Sequence, residues 1–166
     1  MTQSTAQPPS QSAFKTILLS GVMAAALDIL LAILWYDVVQ HKTSALPILQ
    51  SIASAVYGKA AYEGGIKMAL YGLGFHFFIA FCFATAYYFI CPCIGLLRKH
   101  TIVSGIIYGI FIWMIMNLVV LPIAFHRSPG FTWRGALPGI MIIILAVGLP
   151  IAMITGKSYY KKDRLK

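Results

Sequence analysis

Asp28, His76 and Asn117 each combine chemical capability with an apolar setting, lying inside three separate hydrophobic runs. Asp28 is about halfway along the first run, and His76 lies at nearly the same depth in the second. A carboxyl and an imidazole at one depth can share a proton, or each can favour the charged form of the other. Ionisable groups in such runs are costly, usually face a bundle interior and often mark function. Two readings of the pair follow: a proton- or ion-responsive centre, and a structural link between two helices. The structural reading weighs more, because polar residues commonly hold membrane helices together. Asn117 alone reads as the same kind of link.

A second set, Lys59, Glu63, Lys67, His126, Arg127 and Arg134, is spread over two loops that fall on one side of the chain. Converging at headgroup level, these side chains would bind a lipid phosphate or an acidic solute. Ordinary anchoring by long side chains that reach for the interface is the simpler account and weighs more.

Other chemistry finds little support. A haem held by two histidines needs two imidazoles on facing helices at matched depth, and His41, His100 and His126 all fall in loops. Cys91-Pro92-Cys93 supplies too few ligands for a structural zinc site, so these thiols, with Cys82, read as free. The glycines of the second and third runs lack the Lys-Ser/Thr partner of a phosphate loop. Ser54 and Ser104 read as helix-packing residues, and no nucleophile–base set stands out. No catalytic residue, metal or cofactor is expected.

The elements that must position these groups are membrane helices. The chain has 166 residues, 60% of them hydrophobic and 10% charged, against about a quarter charged in soluble domains. Its mean hydropathy is +0.82. The formal charge of +9 sits mostly beside the hydrophobic runs, where it sets topology and meets anionic lipid. No nucleic-acid motif accompanies it, and no nucleic-acid partner is expected.

Four spans are predicted at about 16–39, 65–90, 101–123 and 135–155. The second, at about 1.5 Å per residue, reaches about 39 Å, enough to cross a bilayer with some tilt. Gly72, Ala80 and Ala84 share a face with His76, as Gly21, Ala24, Ala25 and Ala32 do with Asp28, so a neighbouring helix can come close on each. In the third span Gly105-x-x-x-Gly109 is a helix-packing pattern. In the fourth, Pro138 and Pro150 predict kinks, and Ile144 is expected to face lipid. Residues 46–62 have the period of an amphipathic helix, with Pro47 in its first turn and Gly64-Gly65 to end it. Gln50, Lys59 and Glu63 make it less apolar than the spans, so an interfacial helix is expected, with a re-entrant segment as the other reading. Residues 1–15 read as a disordered tail and 156–166 as a basic tail.

The fold class expected is therefore all-α: an integral membrane four-helix bundle with one amphipathic interfacial helix between spans one and two. With both termini cytoplasmic, eight Lys and Arg residues fall inside and five outside, which favours that orientation. Two functional classes remain: a non-enzymatic packing or assembly module, as a homo-oligomer or complex subunit, and a small oligomeric transporter or channel for protons, ions or an amphiphile. A membrane enzyme ranks third.

The stretches LPILQSIASAVYGKAAYEGG, LGFHFFIAFCFATAYYF, MNLVVLPIAF and VGLPIAMI resemble small bacterial inner-membrane proteins of unknown function. More distantly they are similar to the YagU-like membrane proteins, through an H-F/I-x-I-x-F-x-A-x-x-Y pattern and a Pro-containing end to the next span. The resemblance covers most of residues 16–155 and implies a multi-pass protein of the bacterial inner (plasma) membrane with no established activity. The YagU-like proteins have a longer periplasmic loop than this chain, so a shared loop function is not implied.

Overall fold

The computed structural model describes residues 10–39, 44–95, 97, 100–125 and 133–163, and side chains for these except 10–12, 133–135 and 161–163. The helices are α1 (Ser10–Ile33), α2 (Ala45–Tyr57), α3 (Gly65–Ile90), α4 (Thr101–Ile115), α5 (Leu121–Phe125), α6 (Trp133–Ile143) and α7 (Leu149–Asp163). Short π or 3₁₀ turns join several of them into continuous rods. Among the described residues, four rods are long and apolar enough to cross a membrane: Ala13–Val39, Gly65–Cys93, Thr101–Phe125 and Ala136–Tyr160. The protein is an all-α bundle of four spans with a short fifth helix between the first two. Helix continues beyond the expected spans at both ends, from Ser10 and on to Asp163. There Thr16 and Ser158 hydroxyls meet at 2.8 Å, and the Tyr159 hydroxyl donates to the Tyr88 carbonyl at 2.9 Å.

Small residues set the packing, because in lipid helices associate through close contact and hydrogen bonds rather than through exclusion of water. The third and fourth spans cross on glycine. A Cβ on Gly109 would lie 2.7 Å from Ile144 Cα, and one on Gly105 would lie 3.0 Å from Leu149 Cα. Gly148 reciprocates, its own missing Cβ falling 2.8 Å from Gly109 Cα. Ile144 is thus half-buried against Gly109 rather than facing lipid, and its neighbour Leu145 is the exposed residue. A π turn displaces the helical phase here, which a straight 3.6-residue projection misses. On the other side of the bundle, α1 packs on α3 and on the fourth span, with Ala24, Ala25 and Ala84 fully buried.

Both π turns of the second half precede a Leu-Pro pair. Met116–Val120 leads into Leu121-Pro122, and Ile144–Gly148 into Leu149-Pro150. Proline lacks the N–H that its fourth preceding carbonyl expects, and its ring clashes with that carbonyl. Widening the turn relieves the clash. Accordingly Leu121 N–H donates to the Met116 carbonyl and Leu149 N–H to the Ile144 carbonyl, each reaching back five residues.

α2 is too short to cross a bilayer at about 20 Å. It packs along α3 and touches α5. The approach to α3 is on backbone: a Cβ on Gly72 would collide with the Leu49 carbonyl oxygen and lie 3.2 Å from the Ala53 nitrogen. Gly72 stands seven residues into α3, so α2 reaches about 10 Å below the start of that span. Gln50, which the sequence suggests faces the interface, is buried and donates to the Gly65 carbonyl at 3.1 Å. The α-helix ends at Gly58, where φ is +60°, before the expected Gly64-Gly65. A 3₁₀ turn, Gly58–Tyr62, fills the interval.

The second and third spans are linked at the end away from α2. There the Tyr87 hydroxyl donates to Ser104 Oγ at 3.1 Å and the Tyr108 hydroxyl to the Phe83 carbonyl at 2.7 Å. Their rings pack at 4.7 Å. Toward the α2 end a cavity lies between these spans.

Candidate functional site

The face of α1 that carries Ala24 and Ala25 brings Asp28 against α3. His76 Nε2 lies 3.0 Å from the Ala25 carbonyl oxygen. A carbonyl only accepts, so Nε2 carries the hydrogen and donates it. Asp28 Oδ2 is 3.8 Å from the same nitrogen, within ion-pair range but too long for a hydrogen bond. Ala25 and Asp28 stand three residues apart and so share one face of the helix. The imidazole docks on both. Among the described residues Nδ1 has no hydrogen-bond partner, which leaves it open to a hydrogen bond from a ligand. The side chains keep 15% exposure for His76 and 21% for Asp28.

That residual exposure is to a cavity of about 400 Å³, which Asp28, His76, Asn117 and Ser51 line together with apolar groups. Asn117 sits in the π turn Met116–Val120 and spends one N–H on the Trp113 carbonyl at 3.0 Å. A ligand site has this character: mostly apolar, with a few placed polar groups and a volume of about 300–1,000 Å³. The walls come from every span and from α2, including Ile52 and Val56 of α2, Ile79 and Phe83 of α3, and Val147 of the fourth span. Both π turns contribute, through Asn117 and Val147, and π turns often occur at functional sites. Val56 and Phe78 line the cavity while 65% and 67% exposed. The cavity therefore opens sideways at these two residues.

The structure brings Asp28, His76 and Asn117 to one cavity. The second sequence-derived set is not gathered in the same way. Lys59, Glu63 and Lys67 are all exposed, and the ion pair found among the described residues is Asp28–His76. His126 and Arg127 lie outside the described residues, as does the side chain of Arg134. Gly105 and Gly109 are buried at the crossing described above. The part α2 takes in lining the cavity and the π turns at the Leu-Pro pairs were not singled out from sequence, beyond the kink expected at Pro150. The second were visible, since Leu-Pro-Ile-Ala occurs twice, at 121–124 and 149–152. No family model matches the chain, nor does any curated protein or solved structure.

Proposed function

We propose that the chain is an integral membrane protein that binds a small amphiphile in the cavity beside the Asp28–His76 pair, as a binding or transfer step in the bilayer. The observation that carries this is the cavity itself, about 400 Å³ of mostly apolar space with four polar residues on its wall. The sideways opening at Val56 and Phe78 supports entry from lipid. The pair holds α1 to α3 and closes the cavity at mid-span. We place the protein in a bacterial inner membrane with both ends cytoplasmic, on the Lys and Arg distribution and the YagU-like resemblance. That orientation puts α2 at the outer face, tucked below headgroup level rather than lying along it. A thiol probe at Ser44→Cys should then react from outside; labelling only from the cytoplasm overturns the orientation.

The second reading is an assembly module, a homo-oligomer or complex subunit, in which Asp28 and His76 are structural. The His76–Ala25 hydrogen bond favours it. Native mass spectrometry from a mild neutral detergent separates the two. Retention of one small amphiphile per chain, displaced by added dodecyl glucoside, supports binding. Bare protein with no uptake of the added chain would remove the binding reading.

A further inference from the structure

The cavity continues toward the α2 end. A second space of about 550 Å³ is lined by Ser54, Gly58, Lys59 and Tyr62, and shares Ser51, Leu121, Ala124 and Phe125 with the first. The two spaces adjoin across these four residues, the inner one mostly apolar and the outer one carrying the charged residue. We propose that together they hold an anionic single-chain amphiphile, its head beside Lys59 and its chain directed inward. The inference rests on the binding function proposed above and names its ligand class.

Charge decides the direction. Among the described residues, Lys59 is the one charged residue lining the outer space, and its ammonium offers three donors. Tyr62 adds a hydroxyl. Ser51 and Ser54 spend their hydroxyl protons on the Ile48 and Ser51 carbonyls, each at 2.7 Å, so the donors for an anion are Lys59 and Tyr62. Glu63 and Lys67 lie on the same segment but line neither space. Among the described residues no carboxylate comes within 4.0 Å of Lys59.

At the inner end the Asp28 carboxyl is matched by His76 at 3.8 Å. A second negative charge brought there would meet an acidic group in low-dielectric surroundings. The ligand must then carry its charge at one end, and that end faces out. Between the two ends the wall is Ile52, Val56, Val120 and Phe125. From Gly65 to His76 the helix rises about 16 Å, which suits a medium-length alkyl chain. Two long acyl chains would not fit a space of about 400 Å³, so the head belongs to a single-chain molecule rather than to a bilayer phospholipid.

The test is calorimetric titration of the full chain in nanodiscs of neutral phosphatidylcholine, with empty discs as background. The probes are dodecyl phosphate, dodecyl glucoside, dodecylammonium and inorganic phosphate. Dodecyl phosphate should bind about tenfold tighter than dodecyl glucoside, the increment of one charge-assisted contact. Lys59→Gln should erase that preference, whereas Lys59→Arg should keep it. Inorganic phosphate should not bind measurably. Equal affinity for the phosphate and the glucoside, tighter binding of dodecylammonium, or an unaltered preference in Lys59→Gln overturns the ligand class and leaves the binding function standing. Inorganic phosphate binding as tightly as dodecyl phosphate overturns the class too, since the chain would then contribute nothing. If none of the three chains binds, the binding function falls and this inference with it.

Discussion

Removing His76 should cost more than neutralising Asp28, because the imidazole makes two contacts on α1 and the carboxylate makes one. The first contact is the Nε2–H bond to the Ala25 carbonyl at 3.0 Å. Interhelical polar contacts in membrane proteins average about 0.6 kcal/mol and reach about 1.7. The second is Asp28 at 3.8 Å. With Asp28 ionised and His76 protonated, unit charges at that distance would attract by about 4 kcal/mol at an effective dielectric of about 20. Desolvation of both groups and the residual 15% and 21% exposure take back most of it, leaving about 1–2 kcal/mol of net coupling. Asp28→Asn should therefore destabilise by about 1 kcal/mol and His76→Ala by about 2–3, the sum of both contacts. Once the imidazole is gone the carboxylate has lost its partner, so the double variant should cost about 1 kcal/mol less than the sum of the singles. Steric-trap unfolding in bicelles at neutral pH measures all four corners at equilibrium. Raising salt should hardly change the coupling, since a pair with this little exposure is weakly screened. Additivity within about 0.3–0.5 kcal/mol would refute the reasoning, and so would an Asp28→Asn cost exceeding that of His76→Ala.

Gly109→Ala should lower stability by about 1–3 kcal/mol in the same assay, since its Cβ would lie 2.7 Å from the Ile144 backbone. Leu145→Ile, on an exposed neighbour, should stay within about 0.5; equal costs would mean that the glycine crossing is not tight. Pro122→Ala restores a backbone donor and removes the reason for the π turn, so the turn should revert to α-helix and rotate Asn117 off the cavity. Binding of dodecyl glucoside should then weaken while thermal stability holds or rises; unchanged binding would separate the π turn from the site. Gly72→Ala should push α2 off α3, because its Cβ collides with the Leu49 carbonyl. A thiol at Ala55→Cys, on the cavity wall, should then label faster, and an unchanged rate would contradict the contact.

The spans were legible because a run of apolar residues about 30 Å long has few other uses. The pairing of Asp28 with His76 was legible too, from their matched depth and the small residues beside each. What sequence obscured depends on phase and depth. Ile144 reads as lipid-facing on a regular helix, but the π turn at Ile144–Gly148 brings it against Gly109. Gln50 reads as a surface marker because an amide in an amphipathic stretch usually meets water. Here it is buried on the Gly65 carbonyl, and the helix that carries it belongs to the cavity wall.

The cavity was not legible at all, since a void is a property of several helices at once, and it is what weighs against a purely structural role for the polar pair. Polar residues that serve only to join helices do so in packed interfaces. The bundle has ready means to close the cavity, because its small-residue faces already allow backbone contact at Gly72, Gly105 and Gly109. Instead, two π turns and α2 hold the second and third spans around it. The exposed wall at Val56 and Phe78 gives an apolar molecule in the bilayer access to this space. On the function proposed above, such a molecule binds beside the Asp28–His76 pair, and the hydrogen bond from His76 to the Ala25 carbonyl holds the site in shape.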